Sequence, residues 1–161
     1  MAVMPIKTIG DPVLRTEAKK IENFGENTTE LINNLIDTLR NEEGLGLAAN
    51  QIGILQRAAV IDVEEEMLAL INPEIIREQG SVIREEGCLS IPGRQGPVPR
   101  AESIELRYQD RDGEIHQETF SGLLARVIQH EIDHLNGELF VDKLVDVPLS
   151  GVESGEKERK H

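Results

Sequence analysis

The sequence predicts an α+β domain in which mixed or antiparallel sheets pack around a C-terminal helix. An amphipathic helix comes first, several short β-rich segments follow one another, and a second amphipathic helix comes last. Consecutive strands favour antiparallel pairing, whereas alternating strands and helices would favour a parallel sheet. Because aromatic residues make up only 2% of the chain, the core must be built from aliphatic side chains.

The first helix is predicted over residues 28–41, where apolar residues recur at helical spacing. Thr28 is its expected N-cap, and Gly44 is expected to end it. The residues that share its apolar face are Leu31, Ile32, Leu35, Ile36 and Leu39. The segment before this helix contains several Gly and Pro residues and is predicted to be irregular.

The middle of the chain is rich in β-branched residues and is interrupted by Gly and Pro, a pattern that predicts strands. The predicted strands cover residues 57–63, 68–76, 81–90 and 102–110. Asp112 and Gly113 then precede the segment 114–120, and this order predicts a hairpin with a tight turn.

The last regular element is a helix predicted over residues 122–136, with Ser121 as N-cap and Gly137 just past its end. Beyond it the chain becomes polar and mixed in charge. We therefore expect residues 1–145 to form a single domain and residues 146–161 to form a polar, disordered tail.

Composition argues against two classes of partner. The chain has 30 acidic and 17 basic residues and a formal charge of −13, which disfavours an electrostatic grip on nucleic acid or on a membrane. No apolar run approaches the roughly 18–20 residues that span a bilayer, and no secretory signal opens the sequence. The single cysteine, Cys88, excludes an intramolecular disulfide and indicates a reducing, cytoplasmic compartment.

The segment "QHEIDHLNG" places two histidines and a glutamate on the last helix. His130 and His134 are four residues apart, so both imidazoles project from one helical face and can bind a single metal ion. Glu131 lies about 100° further round the helix, where it can reach a metal-bound water as a general base. A buried helix whose histidines only satisfy core hydrogen bonds is the weaker interpretation.

Two imidazoles leave a catalytic metal short of one protein ligand. The sequence offers His116, His161, Glu138 and Glu153 as alternatives to Cys88. We expect His116 to lie on the solvent face of a strand and His161 to end a charged tail. Cys88 ends a predicted strand, but many lone cysteines are simply small buried hydrophobic residues. Spacing alone leaves this choice open.

The glycine-rich stretch "GLGLAANQIG" at residues 44–53 formally fits a dinucleotide-binding fingerprint. That fingerprint requires a preceding strand and a following helix, and the predicted order here is the reverse. The stretch is therefore either an ordinary loop or a backbone strip that approaches a ligand closely. Gln51 would place a side-chain amide beside such a strip.

Three segments in this order resemble the signature motifs of the peptide deformylases: "GLGLAANQ" (44–51), "EGCLS" (86–90) and "HEIDH" (130–134). The similarity extends from about residue 5 to residue 144. It implies a hydrolase that removes the N-formyl group from the initiator methionine of nascent polypeptides and releases formate. The domain at residues 1–145 would then be the catalytic domain.

The resemblance also implies a ligand set and a cofactor. In this family the metal is held by the cysteine of the second motif and both histidines of the third, here Cys88, His130 and His134. The expected ion is Fe²⁺, and Zn²⁺, Ni²⁺ or Co²⁺ can occupy the same site. The last helix would then be the metal-binding helix around which the sheets pack.

The resemblance implies catalytic roles for three residues and substrate binding at two more. Glu131 would be the general base, while the Gln51 amide and the backbone N–H of Leu89 would stabilise the oxyanion. The backbone around Leu45 and Gly46 would bind the substrate in an extended conformation.

The resemblance implies formyl-methionyl nascent peptides as substrates and allows a transient ribosome contact. We expect a monomer, with no specific nucleic-acid partner and no membrane partner. Asp133 would orient a ligand or the helix, and Arg84 and Arg126 are candidates for shaping the methionine pocket. Two other hypotheses are a metallopeptidase that uses a glutamate ligand and a non-catalytic module that binds metal or nascent chains.

Overall fold

The computed structural model describes residues 2–146 and contains two α-helices and seven β-strands within that range. Every pairing between these strands is antiparallel, so the prediction of an α+β fold with antiparallel sheets is confirmed. In chain order the elements are α1 (Glu26–Glu42), β1 (Gly46–Ala48), β2 (Ala58–Val63), β3 (Glu66–Gln79), β4 (Val82–Cys88), β5 (Ile91–Arg100), β6 (Ser103–Gln109), β7 (Ile115–Ser121) and α2 (Gly122–Leu135).

The main sheet has five strands in the order β1-β2-β3-β6-β7, and one helix packs on each of its faces. Strand β2 is buried on both sides because its side chains alternate between the faces. Ala58 and Val60 belong to the core cluster around α1, whereas Ile61 and Val63 belong to the cluster around α2. The edge strand β1 lies beside β2 and close to α2, where the signature motifs meet.

Helix α1 begins two residues earlier than predicted, and its cap differs. Gly25 is the N-cap, so the assignment of Thr28 to that position was wrong. Thr28 instead lies in the first turn of the helix, and its hydroxyl donates to the carbonyl oxygen of Asn23, which precedes the helix. At the other end, Glu43 takes the left-handed conformation, and the Gly44 N–H donates to the Leu39 carbonyl. The helix thus ends at Glu42, two residues before the glycine that was expected to end it.

A two-stranded sheet, β4-β5, stands apart from the main sheet. Leu89 and Ser90 form the tight turn of this hairpin, and Cys88 is paired with Ile91 across it. Strand β5 was not predicted, because its sequence "IPGRQGPVPR" contains three prolines and two glycines. Proline is tolerated at an edge, and among the described strands β5 pairs with β4 alone.

Helix α2 has the predicted boundaries to within one residue, with Ser121 as N-cap and Gly137 in the left-handed conformation just past the end (φ 77°). Arg57 holds the end of this helix: its Nη1 donates to the Leu135 carbonyl at 3.0 Å and its Nη2 to Asn136 Oδ1 at 2.7 Å. No helix in residues 2–146 combines the length and apolar character that a membrane span needs. The predicted tail, apart from Asp146, lies outside the described residues.

Candidate metal centre

The structure brings one cysteine and two histidines together at the junction of β4 and α2. Cys88 is the last residue of β4, and its Sγ lies 3.3 Å from Nε2 of His134. Nε2 of His134 lies 3.2 Å from Nε2 of His130 one helical turn earlier. The three ligand atoms all fall within 4.8 Å of one another, and each side chain is at most 2% exposed.

This arrangement fits a divalent metal ion. Sulfur and nitrogen ligands that share one tetrahedral ion at bond lengths of about 2.0–2.3 Å lie roughly 3.3–3.8 Å apart, close to the separations found here. Neutral imidazoles with both lone pairs turned inward would repel each other at 3.2 Å, and a shared cation removes that repulsion. Three protein ligands leave a fourth position for water or substrate, as in catalytic rather than structural sites.

Glu86 orients His130 by binding the ring nitrogen that faces away from the other ligands. Nδ1 of His130 donates to Oε1 of Glu86 at 2.9 Å, which leaves the lone pair of Nε2 for a metal. The same carboxylate accepts two hydrogen bonds of 2.9 Å from Arg100 and one from Arg126. Burial acts to raise the pKa of Glu86, but the hydrogen bonds from His130 and Arg100 outweigh it and hold that pKa well below its ordinary value.

Sequence reasoning gave this orienting role to Asp133 and missed Glu86. Asp133 is paired with Arg100 and lies 3.6 Å from the Lys143 amine, so it acts on His130 only through Arg100 and Glu86. A signal for Glu86 was present in the sequence. It precedes Cys88 by two residues in the same strand, and residues at that spacing share one face of a strand.

Glu131 is fully buried, and neither of its carboxylate oxygens has a hydrogen-bond partner among residues 2–146. An unpartnered buried carboxylate is costly, and in an enzyme it marks a group kept available for substrate or water. Burial raises the pKa of Glu131 to about 7, which suits a group that takes and returns a proton near neutrality. Glu131 is not part of the converging ligand set, as its helical position predicted.

Gly46 in β1 leaves the room that the Glu131 side chain occupies. A Cβ added at Gly46 would lie 2.6 Å from Oε2 of Glu131 and 2.8 Å from Cγ1 of Val127. The glycine of the first motif therefore lets helix α2 approach the edge strand closely. Its neighbour Leu45 is buried in the core cluster around α2.

Gln51 is held in a fixed orientation in a short 3₁₀ turn. Its Oε1 accepts from the Ala48 N–H at 2.9 Å, so its Nε2 points the other way, donating to Ser90 Oγ at 3.1 Å. That nitrogen lies 3.7 Å from the Cys88 sulfur, beside the ligand set. Leu89, half-buried, follows Cys88 directly in the hairpin turn.

The N-terminal segment hydrogen-bonds to both turns that flank the ligand set. The Lys7 N–H donates to the Gln51 carbonyl at 2.7 Å, and the Ile9 N–H donates to the Ser90 carbonyl at 2.8 Å. These two bonds join the 3₁₀ turn that carries Gln51 to the hairpin turn that follows Cys88.

The other proposed third ligands lie elsewhere. His116 is half-exposed in β7, and its Nε2 is 2.8 Å from Oδ2 of Asp110. Glu138 is at the surface, 3.9 Å from the Lys143 amine, whereas Glu153 and His161 lie outside the described residues.

Arg84 and Arg126, the candidates for the methionine pocket, both line a cavity of about 680 Å³ near the start of α2. The Arg126 guanidinium, however, donates to Glu86 and to backbone carbonyls, so it also belongs to the network behind His130.

Comparison with known proteins places the chain among enzymes. The family model described as "Polypeptide deformylase" matches residues 3–148. A peptide deformylase from Caldanaerobacter subterraneus subsp. tengcongensis is 49% identical over 145 residues, which cover 90% of this chain and 91% of the relative. The one from Carboxydothermus hydrogenoformans is 48% identical, covering 94% of this chain and 99% of its own length.

Solved structures agree with this likeness. The crystal structure of peptide deformylase from Thermotoga maritima has a TM-score of 0.89 and 42% sequence identity, covering 91% of this chain and 100% of that chain. The class I type b peptide deformylase from Acinetobacter baumannii, crystallised with Met-Ala-Ser bound, has a TM-score of 0.86 at 31% identity, covering 89% of this chain and 99% of that chain.

Proposed function

The chain belongs to the peptide deformylase family and is a hydrolase that removes N-formyl groups, and we propose that it does so with a divalent metal ion bound by Cys88, His130 and His134. The observation that carries this proposal is the convergence of these three buried ligand atoms within 4.8 Å, beside the unpartnered carboxylate of Glu131. A purely structural metal site has no need of such a carboxylate.

The proposed ion is Fe²⁺, with Zn²⁺, Ni²⁺ and Co²⁺ as substitutes. One thiolate and two neutral imidazoles suit all four ions, so the ligand set does not exclude the alternatives. When bound, such an ion supplies a Lewis acid that polarises the formyl carbonyl and lowers the pKa of a water. Everything else in the reaction depends on residues of the chain.

We assign the proton transfers to Glu131. Its carboxylate takes a proton from the water that attacks the formyl carbon and then delivers it to the leaving amine. A pKa of about 7 makes both transfers feasible near neutral pH. The buried position also keeps bulk water from competing for that carboxylate.

Gln51 and Leu89 are the proposed oxyanion donors. The Ala48 N–H holds Oε1 of Gln51, so the amide Nε2 faces the metal ligands and can donate to the formyl oxygen. The Leu89 N–H would donate to the same oxygen from the hairpin turn. Donors fixed before the substrate arrives cost no reorganisation as negative charge develops.

The proposed substrate is the formylated N-terminal methionine of a nascent polypeptide. β1 is an edge strand, so an extended peptide can pair with the backbone of Gly46 at its start and of Leu45 just before it. The Met-Ala-Ser peptide bound to the Acinetobacter baumannii enzyme supports a methionine at the first position. We propose a cytoplasmic monomer that has neither a specific nucleic-acid partner nor a membrane partner.

The experiment that tests the proposal measures metal content and formate release on one anaerobically purified sample. We expect about one Fe²⁺, Zn²⁺, Ni²⁺ or Co²⁺ per chain and release of formate from formyl-Met-Ala-Ser. Cys88→Ser should bind the ion more weakly and lose most activity, because a hydroxyl is a far poorer ligand than a thiolate. Full metal content with normal turnover in Cys88→Ser would favour a metallopeptidase-like ligand set, and metal without formate release would favour a binding module.

A further inference from the structure

We propose that Arg126 is a positioning residue that holds the β4-β5 hairpin against helix α2 and so sets where Cys88 stands relative to the two histidines. The inference rests on the proposed metal site and concerns how its ligands are kept in register. Cys88 belongs to the hairpin, whereas His130 and His134 belong to the helix. The distances between Cys88 and the two histidines therefore depend on how firmly the hairpin is held against the helix.

Arg126 spans that contact from the helix side. It is 3% exposed, and its guanidinium makes three hydrogen bonds outside its own helix. Nη2 donates to the Val82 carbonyl in β4, and Nη1 donates to the Val98 carbonyl in β5 at 3.1 Å. Nη1 also donates to Glu86, the carboxylate that orients His130. One side chain thus fixes both strands of the hairpin and the partner of a metal ligand.

Apolar packing alone provides little of this attachment. The hairpin does not hydrogen-bond to the main sheet as a strand. Within the described residues, the buried core members that pack around Cys88 are Leu14, Ile91, Val98, Leu139 and Phe140. None of them lies in α2, whose buried aliphatic residues instead face the main sheet. Polar bonds therefore make the direct link between the hairpin and the metal helix.

Arginine suits this task better than lysine would. A planar guanidinium can donate in several directions at once, so it reaches two carbonyls and a carboxylate from one position. Lysine could keep the positive charge beside Glu86 but not all three bonds. Removal of residues that orient metal ligands typically weakens metal affinity by about 10–100-fold.

The test compares two variants of the same helix. Arg126→Met removes the three bonds and keeps an unbranched side chain. Gln129→Met is the matched control, because Gln129 is also buried in α2 and forms two 2.9 Å bonds with the backbone of Ala101, just past the end of β5. Unlike the bonds of Arg126, neither of these joins a residue of β4 or β5. Zn²⁺ affinity is measured by competition with a chromophoric chelator, thermal stability on the same samples, and the Co²⁺-thiolate absorption band reports the geometry around Cys88.

We expect Arg126→Met to bind Zn²⁺ about 10-fold or more weakly than wild type and to alter the Co²⁺ band, with Gln129→Met close to wild type in both even where the two variants lose similar thermal stability. Arg126→Lys should recover part of the affinity. If Arg126→Met does not fold, Arg126→Lys decides the question, since the proposal requires its Zn²⁺ affinity to fall below that of wild type.

Wild-type affinity and an unshifted Co²⁺ band in the Arg126 variants would overturn the inference, as would an equal loss in Gln129→Met. Failure of the wild-type protein to bind any of the four ions would instead overturn the proposed metal site itself. The two failures are therefore distinguishable in one set of titrations.

Discussion

Two groups of side chains each bring three ligand-type atoms within 4.8 Å: a buried group of Cys88, His130 and His134, and a hairpin group of Asp110, Glu114 and His116. In the hairpin group, both carboxylate oxygens of Asp110 have hydrogen-bond partners. Asp110 Oδ1 accepts from the N–H groups of Asp112 and Glu114 at 2.9 and 3.1 Å, while its Oδ2 pairs with His116. These bonds close the turn between β6 and β7.

The buried group lacks this internal satisfaction. Both oxygens of the neighbouring Glu131 have no hydrogen-bond partner among the described residues. Burial makes such groups expensive unless a ligand completes them, whereas surface groups have water available. Proximity of ligand atoms is therefore a weak indicator of a metal site, and unsatisfied burial beside it is a much stronger one.

The largest expected effect is on kcat, and it compares Glu131, beside the buried group, with Glu114 of the hairpin group. Glu131→Gln should retain the metal and lower kcat by about 10²–10⁴-fold, because the amide keeps the shape of the carboxylate but cannot accept the proton. Glu114→Gln in the hairpin group should leave kcat unchanged. Formate release and metal content of both variants provide the measurement. A Glu131→Gln variant with wild-type turnover would show that another group is the base.

A smaller effect is expected from the glycine that makes room for Glu131. Gly46→Ala would push a Cβ to 2.6 Å from the carboxylate, and displacement of a catalytic group by about 1 Å can cost roughly 10²-fold in rate. Gly25→Ala is the control, because nothing lies within 4 Å of a Cβ there and its φ is not positive. Steady-state kinetics on both variants decide this, and unchanged kcat/KM in Gly46→Ala would mean that the helix can shift freely.

The smallest effect concerns the hairpin group and pH. The hydrogen bond that the His116 ring donates to Asp110 raises the pKa of His116 above 6.5, and the same bond lowers the pKa of Asp110 below 3.8. The pair therefore stabilises the fold fully between these two ordinary values. Its contribution disappears as pH rises through the raised pKa of His116 or falls through the lowered pKa of Asp110.

Asp110→Asn tests this account of the hairpin. NMR titration of the His116 ring should show its pKa falling toward 6.5 in the variant, with kcat unaffected. A His116 pKa that is identical in both proteins would mean that the 2.8 Å contact does not persist in solution.

The parts that sequence patterns predicted well are those governed by local rules. Helical periodicity located α1 and α2, and the Asp112-Gly113 turn located the hairpin between β6 and β7. Strand β5 was missed because its composition opposes strand formation and only its partner β4 makes it a strand. Thr28 failed as a cap because side-chain type alone does not determine where a helix begins.

The candidate site divides in the same way. Helical spacing placed His130, Glu131 and His134 on adjacent faces, but the likeness to known motifs, rather than spacing, singled out Cys88. No local rule could predict that Glu86 contacts His130, 44 positions away, or that Arg126 contacts Glu86 in the β4-β5 hairpin, 40 positions away. Such contacts exist only once the two sheets and the helix have packed.

The bonds from Lys7 to Gln51 and from Ile9 to Ser90 bear on when the site can assemble during synthesis of the chain. The parts of the site come from the first ten residues, from the middle of the chain and from its last helix. Contacts of such long sequence separation require long loops to close, which makes folding slower. An enzyme that acts on formylated chains therefore acquires its own activity only after helix α2 has been synthesised and packed.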